Sequence, residues 1–479
     1  MDNIYFLSQS SSLTLVIIIS LIFAILGIYH SKKFQGISNY LTANRNIELF
    51  SLTASLVASA LGAWILFGPV AAATWGGLGA VIGYALGTAF PMIFLIYFGR
   101  KIRSEFPKGS SLIEFMRKKF GKSLFKLILL MTIFYMFIFL CAEVTAVAVL
   151  INYLSGTDLW ITALIVLLAT LTYTLYGGLR ASIFTDNIQM IVIGFLLLIL
   201  ILIISSSTGD NFSFALIKEK NPQLLSSSYI PSYTAGLTFF IAVAATNLFH
   251  QGNWQRVYAA KNYQTLKSAL IISFFIIVPI VFLMGFIGMV SFSIDPSARA
   301  DLGFFTLLLK DQTEMLSLII IILGLALTIS TVDTLVNAIS SLFVVDGKAT
   351  FNLDKKTDYL KISKYFIVFL SLIAFGVASK GFDILYLFLL ADLFCCAFVF
   401  TVFYSFYNKV NEKTAYISII IGLVAGFLMF PFPDFSKSLL VGVLMSKELF
   451  SPFVAQSLLF LSFMIATFLP AVILKIIRN

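Results

Sequence analysis

LGLALTISTVDTLVNAISSLFVVD, residues 323–346, is apolar enough to lie inside a membrane, yet it carries Ser330, Thr331, Asp333, Thr334 and Asn337. Its hydroxyls have two readings. Small hard cations take oxygen ligands, and a helix here offers the Ser330 and Thr331 hydroxyls plus the carbonyl of Leu327, one turn earlier. Ser and Thr in membrane helices also bond back to their own i−4 carbonyls or pack against a neighbour. The stretch alone leaves both open.

Of the 479 residues, 60% are hydrophobic and 11% charged. A soluble chain of this length cannot bury so much apolar surface, so the composition predicts an all-α polytopic membrane protein whose surroundings are the lipid bilayer. The formal net charge of +10 does not point to nucleic acid, because Lys and Arg gather in alternate loops, as membrane topology requires. Cys141, Cys395 and Cys396 fall inside apolar runs and read as packing residues, not disulfides. No Lys or Arg precedes the first apolar run, so that run reads as a retained span and not a cleaved leader.

About thirteen spans are expected. They lie near 12–30, 48–72, 75–99, 123–153, 158–176, 183–207, 234–253, 264–294, 313–345, 361–380, 383–406, 413–431 and 454–476. The charge pattern places the N-terminus outside and the C-terminal KIIRN in the cytoplasm, which fits a plasma (inner) membrane protein. The whole chain, 1–479, reads as one transmembrane domain.

Two spans look interrupted. SALGAWILFGPVAA, in the second, mixes Gly62 and Gly68 with Pro69; ATNLFHQGNWQR, in the seventh, turns polar before its inner end. They begin two successive sets of five spans, 48–207 and 234–406, followed by peripheral helices over 413–476. Five is odd, so the second set enters the membrane inverted. Broken helices at matching places in inverted repeats predict a mid-membrane binding site.

YTLYGGLRASIFTDNIQM (173–190), PKGSSLIEF (107–115) and ISTVDT (329–334) together resemble the sodium:solute symporter family, in family order. That resemblance implies the five-plus-five inverted-repeat fold shared with the leucine transporter. It implies a sodium site made by the carbonyls of Ala58, Leu61 and Leu327 and the hydroxyls of Ser330 and Thr331. It also places Asp186 on the ion path inward from that site. Ala58 and Leu61, like Leu327 and Ser330, are three apart and share a helix face. Ala60 stands where proline-transporting members carry an Asp, which argues against proline. HQGNWQRVYAA (250–260) and GLGAVIGYALGTA (77–89) are similar to the urea-transporting branch.

Glu143 and Asp392 lie near the middle of spans four and eleven. A carboxylate there costs at least ~2.5–3.5 kcal/mol unless it meets a cavity, a partner or a proton. Both are candidate solute ligands, with a helix-to-helix hydrogen bond as the alternative. Trp64, Asn247, His250 and Gln251 complete the candidate set, since amide and imidazole groups both donate and accept. With two histidines there is no HExxH, and no Walker-type loop is present, so the chain reads as neither enzyme nor ATP-driven pump. The expected function is sodium-coupled symport of a small polar organic solute, a urea-like amide or amino compound ahead of a sugar. No cofactor is expected beyond the co-transported sodium. A solute-sensing receptor with a separate signalling partner is the alternative.

Overall fold

The computed structural model describes residues 5–309, 313–347, 350 and 358–478. α1 (Gln9–Ser31) opens on Ser8, whose hydroxyl accepts the Ser11 N–H at 3.0 Å and satisfies one orphan donor of the first turn. α2 (Leu49–Ala60) stops short, and a tight turn leads into α3 (Gly68–Glu105). α4 (Lys122–Ser155) ends on Gly156 at φ 69°, a left-handed stop that glycine adopts freely. α5 (Leu159–Thr208) is followed by α6 (Ile230–Phe249) and, across His250, by α7 (Gln251–Ala259). Then come α8 (Tyr263–Ile294), α9 (Glu314–Leu342), α10 (Tyr359–Ala378), α11 (Ile384–Tyr404), α12 (Glu412–Met429) and α13 (Leu458–Arg478).

Among the described residues, eleven helices are long and apolar enough to cross a membrane, every one of these except α2 and α7. The sequence predicts about thirteen spans. The difference is in how helices are divided: α2, with 12 residues, is too short to count as a span, and α5 is one element bent at a glycine. α5 runs for 50 residues, about 75 Å at the helical rise, more than twice a ~30 Å hydrocarbon core. Its helical geometry is interrupted at Gly178 (φ 58°, ψ −144°), where an added Cβ would sit 2.5 Å from the Tyr40 ring. α3 is interrupted in the same way at Gly77 (φ 53°, ψ −151°), close to the boundary expected between the second and third spans.

The helices fall into two packed groups. α3, α6 and α8 pack together, while α4, α5, α9 and α10 form the second group and α11 bridges α4 and α6. α2 and α7 lie between the groups: α2 touches α5, α8 and α9, and α7 touches α3 and α9. The stretch GLGAVIGYALGTA is a packing seam in the first group. A Cβ on Gly79 would lie 2.0 Å from the Ser232 carbonyl oxygen, and one on Gly83 2.1 Å from that of Gly236. Small residues four apart let two membrane helices approach at backbone distance. That role explains the motif without reference to any solute.

Candidate cation and solute sites

α2 ends because the backbone leaves helical geometry at Leu61 (φ −100°, ψ 80°), which swings the Gly62 N–H away from the Ala58 carbonyl it would have closed on. The freed groups find partners on other helices. The Ser330 hydroxyl of α9 reaches the Ala58 carbonyl at 3.1 Å and the Leu327 carbonyl at 2.8 Å. Thr331 donates to the same Leu327 carbonyl at 3.2 Å. A hydroxyl has one proton, so Ser330 serves one carbonyl at a time. Two carbonyl and two hydroxyl oxygens thus converge, all fully or almost fully buried, at the negative end of the α2 dipole. This is donor chemistry for a desolvated monovalent cation. Leu61, the fifth expected ligand, is the buried residue at the end of α2, with its N–H bonded to Val57.

The donors beyond the break are met differently. The Ala63 N–H donates to Glu143 Oε2 at 3.0 Å, and Oε1 has no hydrogen-bond partner among the described residues. A Cβ on Gly62 would lie 2.2 Å from that Oε1, so a larger residue there would displace the carboxylate. Glu143 thus sits against the break, and it is not among the residues that line the neighbouring cavity.

The second break, at His250, is stitched by its own chain. Asn253 Nδ2 donates to the Asn247 carbonyl at 2.9 Å, and Trp254 Nε1 to that of Leu248 at 2.8 Å. His250 itself is buried, with Nδ1 lacking a hydrogen-bond partner among the described residues. A narrow cavity lies beside both breaks. Ser59, Asn247, His250 and Asp392 give it polar groups, and Trp64, Tyr84, Phe139 and Phe388 give it aromatic walls. The centre of a water-sized sphere can move through about 20 Å³ of it, room for about one water. Trp64, Asn247, His250 and Asp392 are thus brought together as the sequence predicts. Gln251 is not: its amide donates to the Ser110 carbonyl (2.9 Å) and to Ser341 (3.2 Å), because the chain changes direction at His250.

Asp186 is mid-helix in α5 and fully buried, against Arg256 at 2.9 Å, itself fully buried on α7. Ser55 also donates to this carboxylate, at 2.5 Å. The guanidinium further reaches Ser55 (2.8 Å), the Gly252 carbonyl (3.0 Å), Thr334 (2.9 Å) and Ser59. Asp333, beside Thr334, accepts from Tyr173 (2.5 Å), Ser182 (2.7 Å) and Thr185 (3.1 Å). Thr334 lies one turn along α9 from Ser330, so this network adjoins the cation ligands. Sequence reasoning finds Asp186 but not its partner, although a lone Arg amid NWQRVYAA was a visible signal.

The profile of the sodium:solute symporter family matches residues 40–422. The chain is 27% identical over 381 residues to the "Spermidine transporter DUR31" of Candida albicans, covering 79% of this chain and 71% of that one. It is 23% identical to the "Sodium/glucose cotransporter 4" of Danio rerio, over 88% of this chain and 72% of that one. Among solved structures it resembles a substrate-bound, outward-open Na+-coupled sialic acid symporter, with a TM-score of 0.72 and 18% identity over 96% of this chain and 98% of that one. The fold is thus that of this class of transporter, and the chain belongs to the sodium:solute symporter family.

Proposed function

We propose that the protein is a secondary active symporter that couples inward sodium movement to uptake of a small polar organic solute. The observation that carries this reading is the convergence of Ala58 and Leu327 carbonyls with Ser330 and Thr331 hydroxyls at the end of a helix that stops mid-membrane. Leu61 supplies a further carbonyl. Sodium there draws α2 onto α9, that is, onto the second helix group. The solute binds beside Trp64, Asn247, His250 and Asp392 once movement of the two groups widens the adjoining cavity, which as it stands has room for about one water. Relative rocking of the two groups about α2 and α7 then opens each side in turn. Asp186 lies on the inward ion path and gives way when Arg256 does.

The relatives' names span a polyamine, glucose and myo-inositol. The cavity's four polar residues suit a urea-like amide or an amino compound better than a ring of sugar hydroxyls, each of which needs a partner when buried. The chain is integral to the plasma (inner) membrane, N-terminus outside and C-terminus cytoplasmic, with 48–207 and 234–406 as inverted repeats. Each sodium moved inward gains ~2.3 kcal/mol per 100 mV. Uptake into proteoliposomes, with and without an inward sodium gradient, tests the reading. Gradient-driven accumulation of a small amide or amino compound supports it. Saturable binding with no flux under any gradient would instead favour a receptor.

A further inference from the structure

Asp392 is the one acid lining the cavity, and the protein gives it no cation: none of the ion pairs among the described residues involves it. One carboxylate oxygen, Oδ1, accepts from Thr246 at 2.6 Å. Thr246 sits on α6, one turn before the break at His250. Asp392 is 4% exposed, and it shares the cavity with the neutral polar Ser59 and Asn247, with His250, and with four aromatic rings. Trp64 stacks on Tyr84 with ring centres 5.3 Å apart, and Phe139 packs on Phe388 at 4.5 Å. A lone carboxylate facing aromatic walls in a water-poor cavity is the usual chemistry for an organic cation. The acid supplies the counter-charge and the ring faces attract the onium group. A urea would leave the charge of Asp392 unmet. Arg256, the nearby buried guanidinium, is occupied by Asp186.

Resting on the symport reading above, we propose that the solute is a compact amine cation held by Asp392, with Thr246 as the residue that positions the carboxylate. One amine and one sodium then carry two charges inward per cycle. Because Thr246 and the broken helix share one element, bound amine ties α6 to α11 through this carboxylate. A protonated Asp392 is the rival, and it takes a neutral solute.

The test is a binding and flux panel on purified protein in proteoliposomes, with ethylammonium, urea and glucose as probes. Sodium-22 binding without solute serves as the folding control for each variant. The expected result is saturable, sodium-dependent ethylammonium uptake, with two charges moved per amine. Asp392→Asn should weaken ethylammonium about 30-fold or more, as loss of a buried counter-ion does. Thr246→Val should raise KM for the amine while largely sparing kcat. Sodium-driven urea or glucose uptake with no effect of ethylammonium would overturn the amine assignment and leave the symport reading standing. So would an Asp392→Asn protein that takes up ethylammonium as the parent does. Absence of sodium-driven flux for all three probes, with sodium bound, would count against the symport reading itself. If Asp392→Asn does not fold, the parent's charge-to-solute ratio decides: two charges support the proposal and one overturns it.

Discussion

The two broken helices solve the same problem in opposite ways. At Gly62 the freed backbone groups are met by other helices: Ser330 of α9 takes a carbonyl and Glu143 of α4 takes an N–H. At His250 they are met by the next turn of the same chain, through Asn253 and Trp254. The first break is therefore pinned to α4 and α9, and it moves only when those partners let go. The second is closed by its own chain, and side chains on either side of it, Thr246, Gln251 and Arg256, make its links to other helices. In the proposed symport cycle, a cation at the first break would report on a solute at the second.

The tie at Arg256 gives the largest expected effect. Arg256→Met strands Asp186 as a buried unpaired charge and should destabilise the protein by about 3–5 kcal/mol. Asp186→Asn in the same chain should restore most of that loss. Thermal unfolding in detergent compares the two, and a double variant no more stable than the single would mean that Asp186 is not the counter-charge.

Next is the brace at the first break. Glu143→Leu leaves the Ala63 N–H unsatisfied at about 1–3 kcal/mol. Glu143→Gln keeps an acceptor and should retain most transport. Equal loss in both would move Glu143 from brace to proton carrier.

The smallest effect belongs to the self-stitched break. Asn253→Ala removes one donor to the Asn247 carbonyl and should cost about 1 kcal/mol, with sodium affinity kept. A loss of stability as large as that from Glu143→Leu, or a change in sodium affinity, would erase the distinction between the two breaks.

Much of this was legible in the sequence because it is local. Gly62 beside Trp64 and His250 amid amide residues mark the interruptions directly, and the Ser330–Thr331 pair fixes a helix face. Asp392 stands out because an acid amid FLLADLFCCA needs a reason. The rest depends on which distant helix lies opposite. Glu143 reads as a cavity acid until the backbone of residue 63 is found against it. Gln251 follows His250 by one residue yet points to Ser110, since a break reverses which side a neighbour faces. Arg256 and Asp186 are 70 residues apart, and no periodicity in either helix announces their pairing. The divisions that the hydropathy profile places near residues 73–74 and 177–182 fall beside real interruptions, since the backbone leaves helical geometry at Gly77 and Gly178.

The central claim is that coupling runs through the oxygen cluster between α2 and α9. The direct test is the sodium concentration giving half-maximal uptake in Ser330→Ala and Thr331→Val proteins, which lose hydroxyls and little volume. Loss of a ligand should raise it ~10-fold or more, with solute flux regained at high sodium. Uptake that stays sodium-dependent in both variants, at unchanged half-maximal sodium, would contradict the account.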